Sequence, residues 1–261
     1  LVAEVQYAER TANGLLRHAR YLGLREDKPA KDVEIDNDRG TEAVMDTDAG
    51  QSADKLTVAG LRISSGDRVV YPDAGITKAQ VAEYYAALAD RILPFAADRP
   101  LSLLRLPEGL KGETFFQKHA GKGFPDALRE MALEESDGGT ANYMYVTDAA
   151  GLVGAAQMGA LELHIWGSRR DRLDRPDRMV FDLDPDPGLG FADVTAAACD
   201  LRDRLEALGL PSWPLLSGGK GVHVVVPLRR VAGWDTVKLY ARIFATLLAA
   251  EEPDRFVATM S

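Results

Sequence analysis

A single cysteine, Cys199, stands in 261 residues, which excludes an internal disulfide and suits a reducing compartment. Placed in an alanine-rich helical stretch, it reads as a packing residue. No stretch approaches the roughly 18 consecutive apolar residues of a membrane span. No secretory signal pattern is present either. No internal repeat is visible, so a repeat array is excluded. The chain also lacks net positive charge, its formal value being −9, and that argues at first against nucleic acid. The deficit is local, however. Between Arg25 and Asp54 there are ten acidic and four basic residues, so −6 of the −9 falls there and the remainder carries only −3. A basic patch elsewhere is compatible with that total.

What is present is enough apolar residue, 46%, for a substantial core. Residues 1–24 alternate apolar and polar around Asn13-Gly14, which predicts one hairpin, with a second strand-like run from Leu15 to Leu24. A lone hairpin is too small to fold by itself. Residues 29–56 are acidic, rich in small residues and without apolar period, and read as a flexible linker. Thr77 and Gln80 then have capping-box spacing, with Val81, Tyr84, Leu88 and Ile92 on one helical face and Pro94 as the stop. Residues 191–208 predict a helix with Val194, Ala198, Leu201, Leu205 and Leu208 inward and Gly209 as its C-terminal cap. Strands are expected at 179–184 and 222–228, the latter central in its sheet, and a further helix at 234–250. Strands separated by helices predict sheets covered by helices, α/β or α+β.

The chemistry concentrates in a few short stretches. In "MVFDLDPDPG" (179–188) the period of a strand puts Asp182 and Asp184 on one face, and Pro185 ends the strand beneath them. Two carboxylates so placed repel unless a cation stands between them; the plainer reading is a turn. In "SGGKGVH" (217–223) three glycines in five residues free backbone amides to face an anion, with Ser217 and Lys220 suited to phosphate oxygens. P-loop spacing is absent, and a connection that merely turns is the plainer reading. His223 and His164, the latter in "LELHIW", alternate within apolar strands and read as core histidines or as site residues. "TFFQKH" (114–119) sets Phe115 and Phe116 near Lys118, a pattern for stacking a base and holding its phosphate, or for core. "RRDRLDRPDR" (169–178) reads as a salt-bridged solvated face or as a phosphate-binding surface. Paired carboxylates and anion donors on neighbouring strands are what nucleotidyl transfer with two cations requires.

From about Leu56 onward these motifs resemble the polymerase domain of the bacterial ATP-dependent ligase D proteins, in the archaeo-eukaryotic primase superfamily. Those proteins repair double-strand breaks by non-homologous end joining. The resemblance implies an α/β (α+β) primase-polymerase fold with a mixed β-sheet catalytic core covered by helices. "DRVVYPDAGITK" resembles the segment that grips a 5′-phosphate, with Arg68, in place of an expected lysine, and Lys78 on its positions. "FFQKH" resembles the segment whose aromatics stack on the template, here Phe115 and Phe116 with Lys118 alongside. "LELHIW" matches the motif that supplies an active-site histidine, His164; "FDLDP" matches the metal pair, Asp182 and Asp184. "SGGKGVH" matches the triphosphate motif, with Ser217, Lys220 and His223. Residues 1–28 resemble the C-terminal end of the ligase module's OB-fold, so the expected organisation is a ligase remnant (1–28), a linker (29–55) and a C-terminally truncated polymerase domain (56–261). The family's third carboxylate follows the segment matching "VATMS", so it is expected to lie beyond Ser261.

The resemblance further implies two manganese or magnesium ions and a nucleoside triphosphate substrate, ribonucleotides being preferred. It implies 5′-phosphorylated gaps or ends of DNA, Ku and the ligase module of the same polypeptide as partners, and a bacterial cytoplasmic location. The expected activity is metal-dependent, template-directed nucleotidyl transfer. A non-catalytic module that binds and aligns DNA ends through the 5′-phosphate is the alternative. A sugar-nucleotide transferase would also use Asp-x-Asp, but leaves "SGGKGVH" and the 5′-phosphate segment unexplained.

Overall fold

The computed structural model describes residues 2–6, 9–10, 16–17, 20–25, 56–135, 138–216 and 218–258. The chain forms two compact units, Leu1–Ser52 and Ala53–Ser261. In the first, β1 (Val2–Gln6) pairs antiparallel with β4 (Arg20–Arg25), and β2 (Glu9–Arg10) with β3 (Leu16–Arg17). The two ladders are nested as one hairpin requires, with a register shift between Glu4 and Val5. The predicted Asn13-Gly14 turn and the acidic linker to Lys55 lie outside the described residues.

The second unit begins with two small hairpins, β5 (Thr57–Val58) with β6 (Leu61–Arg62) and β7 (Val69–Tyr71) with β8 (Ile76–Thr77). The predicted capping box opens α1 (Lys78–Ala87): Thr77 accepts from the Gln80 amide, and Gln80 from the Thr77 amide. Leu88 interrupts the helical path, and α2 (Ala89–Ala96) follows as a separate helix that contains Pro94. The proline therefore does not end the helix where the sequence predicted. The predicted face holds in part: Val81 and Ile92 pack half-buried against the core, Ala82, Tyr85 and Ala89 are buried beside them, and Tyr84 is exposed.

A five-stranded sheet follows, made of β9 (Leu101–Arg105), β10 (Phe115–Gln117), β11 (Arg129–Glu134), β12 (Thr140–Tyr145) and β13 (Ala160–Ile165). β13 lines one side of β9; β10 and the end of β12 share the other. Against it packs α3 (Ala149–Gln157), capped by Asp148 and buried from Gly151 to Ala156, as an all-apolar helix must be. Leu101, Leu103, Met144, Leu152 and Val153 centre this core.

The second sheet has the order β14 (Arg178–Leu183), β16 (Val222–Pro227), β15 (Trp213–Leu215), so the predicted central strand is central. α4 (Phe191–Ala207) and α5 (Trp234–Glu251) cover one face, closing a second core of Met179, Leu201, Leu205, Val224, Val226 and Leu248. Gly209 takes the predicted left-handed conformation just past α4, at φ +74°. Leu208 is exposed rather than inward, and Cys199 is exposed rather than packed. The expected architecture of sheets covered by helices is present, but every described ladder is antiparallel, where a mixed sheet was expected.

Arg99 stitches the two halves of this unit together. It is 1% exposed, grips Asp177 with both nitrogens at 2.8 and 2.5 Å, and donates to the Phe95 and Trp166 carbonyls. Burying a guanidinium is tolerable only because a carboxylate and carbonyls meet its donors.

Candidate nucleotide and nucleic-acid site

Strand β14 alternates as predicted: Met179 is buried and Phe181 and Leu183 are half-buried, while Val180, Asp182 and Asp184 are exposed. Asp182 lies directly across from His223 on β16, and the His223 Nε2 is 3.3 Å from the Asp182 Oδ1. Asp184 sits one residue beyond the strand, against Gly221. A Cβ on Gly221 would stand 2.7 Å from the Leu183 carbonyl oxygen and 2.9 Å from the Asp184 Oδ1. Only glycine lets the turn into β16 close on this carboxylate. Lys220 is exposed in that same turn; Ser217 lies outside the described residues.

Asp182, Asp184, Lys220 and His223 are therefore one constellation around the β14–β16 pair. Two solvent-facing carboxylates offer hard oxygen donors, which fit Mg²⁺ or Mn²⁺ better than a soft metal. Among the described residues no three His, Cys, Asp or Glu side chains are arranged so that they could hold a metal ion together. An apolar groove of about 270 Å³, lined mainly by Phe191, Trp213, Leu216, Val222 and Val224, lies on the other, helix-covered face of this sheet.

The first sheet carries a second constellation. Phe115 and Phe116 are 42% and 58% exposed on the short strand β10, which removes the core reading of this pair. Phe116 meets His164 edge to face at 5.2 Å, and the His164 Nε2 lies 2.8 Å from the Glu162 carboxylate. No hydrogen bond or ion pair joins His164 to the paired aspartates among the described residues. Lys118 lies over the Tyr143 ring at 5.9 Å, and Tyr143 stacks edgewise on both His119 and Trp166.

At the far end of β9 the two expected phosphate-binding cations come together. Arg68 donates to the Pro107 carbonyl at 2.6 Å and pairs with Glu108 at 3.1 Å; Lys78 donates from Nζ to the Ser64 carbonyl at 3.0 Å. Burial, helped by the Arg68 and Arg105 charges, pushes the Lys78 ammonium down to about 8. Three cations gathered beside the Glu108 carboxylate have the chemistry to take an anion.

Arg105 is the member that the sequence reading missed. It closes the apolar run of β9, pairs across the ladder with Phe115, and donates to Gln117 at 2.5 Å beneath the Phe124 ring. It thereby joins the cation cluster to the exposed phenylalanines. The available signal was an arginine ending a buried strand, which says only that the strand emerges there.

The arginine-rich segment is the salt-bridged face. Arg169 and Arg178 converge with Arg99 on Asp177, Arg170 pairs with Asp98, Arg175 with Asp174, and Asp171 is held by Arg230. Those charges are paired within the fold, in agreement with the salt-bridged reading.

Residues 77–261 match the family model described as LigD, primase-polymerase domain. The chain is 40% identical over 260 residues, 98% of its length, to the multifunctional non-homologous end joining protein LigD of Pseudomonas aeruginosa, of which it covers 31%. It is 33% identical over 203 residues, 77% of its length, to the LigD protein of Mycolicibacterium smegmatis, of which it covers 26%. The chain thus spans a third or less of these relatives. A solved structure, the polymerase domain from Mycobacterium tuberculosis ligase D in complex with DNA, superposes with a TM-score of 0.68 at 31% identity, covering 74% of this chain and 70% of that one. The chain belongs to the LigD primase-polymerase domain family.

Proposed function

We propose that this chain is a template-directed nucleotidyltransferase that extends a DNA primer at a gap or broken end bearing a 5′-phosphate. The observation that carries this reading is that Arg105, beside Arg68 and Lys78, stands at the end of β9 directly across from Phe115, next to which Phe116 is also exposed. A terminal phosphate seated on the cations would leave the neighbouring unpaired template base within reach of an aromatic ring. The second constellation would take the incoming triphosphate: Lys220 and the glycine-rich backbone hold its oxygens, and His223 keeps Asp182 oriented from across the strand pair. Asp182 and Asp184 would hold divalent ions, Mn²⁺ or Mg²⁺, which supply charge neutralisation of the triphosphate and acidification of the primer hydroxyl. His164, steadied by Glu162 and next to Phe116, would contact the nucleotide near its sugar.

Ribonucleotide and manganese preference belong to the same proposal. So does a role in non-homologous end joining beside Ku and the ligase module of one polypeptide in the bacterial cytoplasm, with residues 1–28 as the end of that module. Primer extension on 5′-phosphorylated gapped DNA tests the reading, with Asp182→Ala as the inactive comparison. A second reading, a DNA-end-binding module without synthesis, is favoured by one observation: among the described residues the paired carboxylates are not joined by a third carboxylate into a group that could hold a metal ion. Tight, phosphate-dependent binding with no extension in any metal would support it.

A further inference from the structure

Three cations that repel one another need something to hold them in place, and the fold supplies it from a single turn. Gln157 ends α3, and its side chain takes the Ser64 backbone amide on Oε1 at 3.0 Å and donates from Nε2 to the Ser64 hydroxyl at 2.7 Å. The carbonyl of that same Ser64 receives the Lys78 ammonium. The next residue, Met158, offers its carbonyl to the Arg105 Nε at 2.6 Å. The one after, Gly159, accepts the Leu106 amide at 2.8 Å and so holds the start of the loop whose Pro107 carbonyl receives Arg68. Gly159 has φ +76°, and a Cβ there would stand 3.0 Å from the Pro107 Cα, so the loop closes on it only because it is glycine. Three consecutive residues each fix one cation.

We infer that the C-terminal turn of α3, Gln157–Met158–Gly159, is the positioning element of the phosphate grip, and that Gln157 sets the Lys78 ammonium through Ser64. This rests on the reading of Arg68, Lys78 and Arg105 as the seat of a 5′-phosphate. The physical logic is twofold. The end of a helix carries unpaired carbonyls and partial negative charge, which offsets the mutual repulsion of guanidinium and ammonium groups. The helix itself is buried from Gly151 to Ala156, so its end does not move with the surface loops that bear Ser64 and Pro107. A flexible lysine is thereby held ready for a phosphate rather than being ordered when one arrives.

The test is binding of the 261-residue chain to gapped duplex DNA, with the downstream strand ending in either a 5′-phosphate or a 5′-hydroxyl, read by fluorescence anisotropy. The wild type is expected to prefer the phosphorylated duplex. Gln157→Ala removes both bonds to Ser64 and should cut that preference about tenfold, with affinity for the 5′-hydroxyl duplex and the melting temperature close to wild type. Ser64→Ala removes one of the two bonds and should lose part of the preference. A phosphate preference unchanged in Gln157→Ala overturns the inference, as does an equal loss of affinity for both duplexes. A wild type without phosphate preference sinks the reading on which the inference rests, and the two failures are thereby told apart.

Discussion

Asp182 and His223 face each other across β14 and β16 with Nε2 3.3 Å from Oδ1, and each stands next to a different part of the site. Asp182 leads to Asp184 along its own strand; His223 leads back through Gly221 to Lys220. The pair therefore joins the carboxylate edge to the glycine-rich turn proposed to take the triphosphate. His223→Ala is expected to raise the KM for nucleoside triphosphate by about tenfold or more while leaving DNA affinity within a factor of two. Steady-state extension at varied nucleotide, with anisotropy for DNA, checks the split.

Lys78 loses its proton near pH 8, far below an ordinary lysine at 10.5, because of burial and then of Arg68 and Arg105. A phosphate dianion favours the charged form, so preference for a 5′-phosphate over a 5′-hydroxyl should decline between pH 7 and about 9. Lys78→Met should flatten that profile. The same shift acts on stability with the opposite sense: the unfolded chain binds a proton that the folded one has released between about 8 and 10.5, so unfolding free energy rises with pH there.

Phe115 and Phe116 project into solvent from a three-residue strand, so removing either ring opens no core cavity. Each alanine variant should cost less than about 0.5 kcal/mol of stability. The loss should appear instead in binding to gapped DNA with an unpaired template base, by roughly tenfold per ring, from base stacking of about 1–3 kcal/mol. Fully paired duplex should be bound as before.

Asp177 is the acid on which Arg99, Arg169 and Arg178 converge. Burial alone would raise its pKa, but the bond to Arg99 and the surrounding guanidinium charges outweigh it and hold the carboxyl below the usual range. Asp177→Ala leaves Arg99 buried without its partner and should cost about 3–5 kcal/mol in urea unfolding. The stability that this depressed pKa contributes is complete above the ordinary carboxylate range. It is lost as pH falls through the lower, folded value.

Patterns that depend on neighbours in sequence could be read from the sequence. The alternation around Asp182, the Thr77–Gln80 cap and the Gly209 stop each follow from a local rule, and each stands in the structure. Of the face predicted for the first helix, Val81 and Ile92 reach the core while Tyr84 does not, because Ala82 and Tyr85 take the inward positions. Pro94 sits inside α2 at the cost of one helical hydrogen bond, and the helix closes past it with the Ala97 amide donating to the Leu93 carbonyl. Arg105 was not legible at all: its place depends on Met158, Gln117 and Phe124, which reach it only through sheet and helix packing. The exposure of both phenylalanines had the same cause, since a strand as short as β10 at the edge of β9 need not bury either face.

In the proposed function, Asp182 and Asp184 serve synthesis at an end selected by its 5′-phosphate. The most direct test is primer extension by the 261-residue chain on gapped DNA with manganese and ribonucleotides, comparing 5′-phosphate with 5′-hydroxyl substrates, for the wild type and Asp182→Ala. Templated extension is expected to depend on the 5′-phosphate and to fall more than tenfold in Asp182→Ala, while binding to the phosphorylated gap persists in both. Extension by Asp182→Ala at more than about a tenth of the wild-type rate would contradict the proposed function.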